Sequence, residues 1–174
     1  MTFLSGSVNC CGAGMLHDPS HPTDHKTMYQ LISSAVVNAP PHSYMLRLLH
    51  SNNKPLYIPA NGQRSTPTSP PTDTKEDMLE LFKTDVSGQP REHKRLMGRR
   101  NYVAVVAYDP DAVNAGYGGL ASPGLPGQGG SGGLAPGGFP KVSLAVDFLV
   151  QGESAYGSVV KYGPVIVPSL ELGR

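Results

Sequence analysis

Cys10, Cys11, His17, Asp18, His21, Asp24 and His25 crowd potential metal donors into one short N-terminal stretch. His17, His21 and His25 recur at every fourth residue, a spacing that on a helix would stack three imidazoles on one face, and nearby thiolates would complete a tetrahedral zinc shell. Two features oppose that chemistry. Pro19 and Pro22 forbid a continuous helix, and the stretch lacks the paired CxxC or HExxH order of a zinc motif. The plainer reading is a polar loop leading into a helix cap. A metal-binding module or enzyme using Cys10, Cys11, His17, His21 and His25 is kept as the alternative.

A second chemical feature is basic. Arg91, Lys94, Arg95, Arg99 and Arg100 fall within ten residues, with Glu92 as their only counter-charge. Such a cluster could hold phosphate or a nucleic-acid backbone, with affinity falling steeply in salt as counterions are released. No aromatic side chains interleave with the charges, so a contact with an acidic partner surface is the simpler expectation. A nucleic-acid-associated protein acting through Arg91 to Arg100 stands as a further alternative.

Other apparent motifs fail on context. The glycine-rich span has no GxxxxGK[ST] followed by a helix, and no lysine precedes Lys141 there. GESAYG at 152–157 places its second glycine one residue too late for a nucleophile elbow, which leaves Ser154 as a turn residue. Tyr102, Tyr108, Tyr156 and Tyr162 lie in strand-like runs, where packing explains them. No catalytic, cofactor-binding or metal residue is therefore assigned, and the expectation is a protein that is not an enzyme.

The elements that must position these residues come next. Met28, Leu31, Ile32, Ala35 and Val36 have helical spacing and predict a helix from Asp24 to about Asn38. Asp73 and Glu76 resemble a capping box, and Met78, Leu79, Leu81 and Phe82 supply a stripe, so a second helix is expected up to Gly88. Ser43 to His50 can be read either way, as a strand through Tyr44, Leu46 and Leu48 or as a short helix through Met45, Leu48 and Leu49, with the strand preferred, and a third short helix could start at Pro90. Leu56 to Ile58 is at best a short edge strand. Tyr102 to Tyr108, Val142 to Val150, Tyr156 to Tyr162 and Val165 to Val167 read as strands, the second by strict alternation. Together these predict an α+β fold: an antiparallel meander over 101–168 packed by two helices, in a single domain spanning 1–174.

Between the strands lies Gly116 to Pro140, whose composition cannot bury enough apolar surface to offset its own chain entropy. It is expected to be an extended arm steadied by another subunit, with Gly118, Leu120, Leu125, Leu134 and Phe139 joining the basic cluster as partner-binding residues. The formal net charge is +1, so no global field draws the 174-residue chain to nucleic acid or membrane. No apolar run reaches the roughly 20 residues of a membrane span, the N-terminus lacks a basic region like that of a signal peptide, and adjacent cysteines suit reduced thiols. These readings converge on a non-enzymatic structural subunit of a large symmetric assembly. Its partners would be copies of itself and other structural subunits, in a virion (a capsid, or a phage tail or neck) or the cytoplasm of the producing cell.

Overall fold

The computed structural model describes residues 1–7, 10–21, 26–52, 56–58, 74–110, 142–154 and 157–169. Eight strands and one helix lie among them: β1 (Thr2–Ser7), β2 (Gly12–His17), β3 (Met28–Ser34), α1 (Ser43–Asn52), β4 (Leu56–Ile58), β5 (Thr74–Met78), β6 (Asn101–Tyr108), β7 (Ser143–Gln151) and β8 (Val159–Val167). They form a five-stranded sheet in the order β1-β3-β2-β5-β4 and a three-stranded sheet in the order β6-β7-β8. Only β1 and β3 run parallel; every other described pair is antiparallel.

The fold is therefore mostly β, and the expected α+β class with two packing helices is incorrect. Met28, Leu31 and Ile32 have helical spacing, but Tyr29 and Leu31 are buried while Met28 and Gln30 are exposed, the period of a strand. β3 lies between β1 and β2, so both edges of its backbone find ladder partners, an outcome that outweighs local helix propensity. The apparent capping box at Asp73 instead precedes β5, where Lys75 and Asp77 share a face and form an ion pair of 3.0 Å. Of the two readings of 43–50, the preferred strand is incorrect and the helix is found: the segment is α1, with no buried residue. No helix starts at Pro90: Phe82 to Lys94 is an irregular hairpin, held by Phe82 N–H donating to the Lys94 carbonyl and Arg91 N–H to that of Lys83.

The meander β6-β7-β8 occupies the 101–168 region in which strands were expected. The expected strands at 156–162 and 165–167 merge into one β8, with a register irregularity opposite Val146 to Phe148. The expected arm at 116–140 lies outside the described residues.

Both sheets contribute to one core. Ala13, Tyr29 and Leu31 from the first meet Val146, Phe148, Val150, Tyr162, Val165 and Val167 from the second, joined by Cys11, Phe82 and Met97 from the connections. Asn101, itself buried, clamps the start of β6 to the end of β3. Its Oδ1 accepts from Ser34 N–H at 3.0 Å, and its Nδ2 donates to the Arg99 carbonyl at 2.8 Å. Removing the buried Phe148 ring should cost about 3–5 kcal/mol in stability, whereas truncating the exposed Leu4 should cost less than ~1 kcal/mol. Urea denaturation of Phe148→Ala and Leu4→Ala checks this; equal midpoints for the two variants would contradict the shared core.

Candidate functional site

The segment between β5 and β6 carries most of the unusual polar chemistry. Leu79 N–H donates to the Ala13 carbonyl, and Cys11 and Met97 exchange backbone hydrogen bonds of 2.9 and 3.0 Å, so both ends of the segment are fastened to β2 or its approach. The hairpin tip is ordered by Asp85, whose Oδ1 accepts from Ser87 N–H, Ser87 Oγ and Gln89 N–H at 2.7–2.9 Å. Gly88 closes that tip at φ 87°, a conformation that favours glycine. The Ser87 hydroxyl and the Gln89 amide hold the Asp85 carboxyl below its usual range.

This frame brings His93 against His50 of the last turn of α1, with ring centroids 4.6 Å apart and planes inclined at 47°. Burial lowers the His50 pKa, and His93 and Arg95 reinforce the shift while Glu80 opposes it; Arg91 acts in the same sense as Arg95. At neutral pH His50 is therefore an uncharged imidazole, able to accept a proton. Arg95 faces Asp77 at 3.7 Å and Glu80 at 3.9 Å, and Asp77 also holds Lys75. Arg91 uses Nη2 to donate to the Leu96 carbonyl at 3.1 Å. Its Nη1 and both ring nitrogens of His93 are buried without a hydrogen-bond partner among the described residues. Buried polar atoms in native proteins are rarely left so, and each of these can take a polar guest. A guest with several acceptor oxygens fits the guanidinium best.

α1 reaches this position because residue 98 is glycine: a Cβ there would meet the Leu46 side chain and stand 2.9 Å from Pro41 Cγ. Gly12 likewise admits the Arg95 backbone, since a Cβ would lie 3.0 Å from the Arg95 carbonyl oxygen and 2.7 Å from Met78 Cε.

The structure divides the basic cluster. Arg95, and more weakly Arg91, act on the charge of His50, with Arg91 lying beside Tyr162 and Cys11, whereas Arg99 donates to the carbonyls of Gly152 at 3.2 Å and Gln151 at 3.5 Å. Arg100 donates to Val37 and Asn38 at 3.2 Å. Both thus bind the connection to neighbouring chain. Lys94 presents its carbonyl to Phe82. Gly118, Leu120, Leu125, Leu134 and Phe139 lie outside the described residues.

The N-terminal donors are not gathered into a site. Cys10 and Cys11 are buried and free, and burial pushes the Cys11 thiol up to about 12, so it carries no thiolate at physiological pH. His17 ends β2, with its pKa lowered by burial and by Lys75, while Asp18 and His21 form a turn closed by a 3.3 Å hydrogen bond between His21 Nδ1 and Asp18 Oδ2. Asp24 and His25 lie outside the described residues, and among those described no three His, Cys, Asp or Glu side chains converge as metal ligands. Ser154 sits exposed in a bend. His50, His93 and Glu80 were not singled out in the sequence. His93 stands inside the basic cluster, but no spacing links it to the distant His50.

A family model described as PhoD related phosphatase matches residues 1–174. No curated protein and no solved structure matches the chain. The family match overturns the expectation of a non-enzymatic virion subunit and points to a phosphatase-like enzyme.

The lowered pKa values of His17 and His50 have a consequence for stability. A histidine whose folded pKa lies below its unfolded value near 6.5 binds fewer protons folded than unfolded. Stability is then full above that unfolded value and falls as pH drops through it. Melting curves between pH 7.5 and 5 should show this decline, and His50→Gln should flatten it. A melting temperature unchanged across that range would contradict the partial burial of both rings.

Proposed function

Because the chain belongs to the PhoD-related phosphatase family, we propose that it serves the hydrolysis of phosphate esters, with His50, His93, Arg91 and Arg95 receiving the phosphoryl group. The observation that carries the reading is the family match along all 174 residues. The site assignment is supported by Arg91 Nη1 and the His93 ring nitrogens, which need acceptors or a polar guest, and by a neighbouring imidazole that is uncharged at neutral pH.

Hydrolysis adds water across the ester. The water oxygen bonds to phosphorus, the bond from phosphorus to the alcohol oxygen breaks, and the proton lost by water returns through solvent to the departing alkoxide. His50 takes that proton from the attacking water. Arg91 and Arg95 meet the charge that grows on the phosphoryl oxygens, where fixed cationic donors act most strongly. Asp77 and Glu80 orient Arg95, so that its fork is already in place before substrate arrives. His93 packs on His50 and holds its ring.

Turnover of p-nitrophenyl phosphate by the full chain tests this. His50→Gln should lower kcat by about 100-fold or more, in keeping with loss of a general base. Arg91→Met should raise KM as well as lower kcat, because it removes ground-state binding too. The rate should also fall as pH drops through the depressed His50 pKa. Undiminished turnover in both variants would remove these residues from the site.

A further inference from the structure

Three of the four sheet edges are blunted against pairing. β4 is three residues long, β1 runs through Ser5, Gly6 and Ser7, and β8 is interrupted by Lys161, Gly163 and Pro164, the last without an N–H to donate. β6 differs. Its eight residues, NYVAVVAY, contain no charge, glycine or proline, and among the described residues its backbone is ladder-paired only on the side facing β7, with the Asn101 side chain reaching Ser34 of β3. Tyr102, Val105 and Val106 are 50%, 40% and 60% exposed. An edge of this kind is a template for another strand.

The sequence of β6 specifies which strand. Read backwards from Tyr108 to Tyr102 it becomes YAVVAVY, which keeps a tyrosine at each end and valine at the centre and exchanges valine with alanine between them. We propose that β6 pairs antiparallel with β6 of a second copy of this chain, about a twofold axis through Val105. In that register Tyr102 stands opposite Tyr108 of the second copy, Val103 opposite Ala107, Ala104 opposite Val106, and Val105 opposite Val105. Each valine off the axis meets an alanine, and the tyrosines pair at both ends. In this register residues of the same face stand opposite each other; a shift of one residue would set the core-facing residues of one copy opposite the solvent-facing residues of the other. Large-to-small and aromatic pairs are favourable across strands. The two meanders become one six-stranded sheet in which the exposed edges cover each other.

The twofold closes the assembly at two copies, since each molecule spends the one edge that is unprotected among the described residues. A single strand edge makes a small interface, so association belongs to the micromolar class. The interface lies on the meander, away from His50 and His93, so the dimer does not depend on the phosphoryl site. Its test can succeed or fail whatever the outcome of the activity assay.

Light scattering on the eluting full chain, at about 100 µM and again near 1 µM, should show a dimer that dissociates on dilution. Val105→Cys should give a disulfide-linked dimer under mild oxidation, because opposed Cβ atoms in a ladder lie within bridging distance. Val159→Cys, exposed on the protected edge, should not. Val105→Lys should yield a monomer with unaltered melting temperature. A monomer at the higher concentration, open-ended oligomers, or a dimer that fails to cross-link at residue 105 would each overturn the proposal. If Val105→Lys does not fold, the cross-linking result decides.

Discussion

Phe82 is fully buried although it belongs to no strand, and the site depends on that fact. Its ring stands edge-on to Phe148 at 5.9 Å and to Tyr162 at 5.2 Å, so a residue of the β5-to-β6 connection closes the core of the meander. Such rings contribute through the area they bury and through edge-to-face attraction. Because Phe82 is pinned, its amide is placed to meet the Lys94 carbonyl and the hairpin leaves the core in one direction. Arg91, His93 and Arg95 then emerge on the side where α1 brings His50. Packing at one aromatic ring is converted into the placement of four polar side chains.

The electrostatics follow from that placement. A net charge of +1 gives the chain no long-range pull on anions, so any preference for phosphate must be local. Lys75, Asp77, Arg95 and Glu80 form a linked series of opposite charges that fixes Arg95 while leaving its field directed at the imidazole pair. Burial affects basic and acidic groups in opposite senses. It lowers His50 and Arg91 and raises Cys11 and Tyr162, each toward its neutral form. Arg91 keeps its charge because a guanidinium starts so high, which leaves it the cation best suited to meet an anion beside Tyr162 and Cys11.

Strands β6 and β7 were legible in the sequence because β-branched residues and strict alternation occur together there. β3, β5 and α1 were not. In Met28 to Ser34 the same apolar residues satisfy helical spacing and half of a strand's alternation, and only the ladder partners on both sides settle the choice. At Ser43 to Asn52 apolar and polar residues alternate for part of the run, yet the segment is a surface helix that rests Leu46 over Gly98. The cationic cluster was visible, but its division was not: Arg99 and Arg100 bind carbonyls of distant chain, a role that depends on contacts between β7, the β3 exit and the connection. His50 and His93 meet only through the docking of α1.

The central claim is that His50 and His93, with Arg91 and Arg95, form an anion seat. Titration of inorganic phosphate into the full chain, followed by NMR of the histidine ring protons, tests it most directly. The rings of His50 and His93 should shift together and saturate, while His21, in its exposed turn with Asp18, stays in place. Uniform small shifts across all six histidines, or none at His50 and His93, would contradict the account.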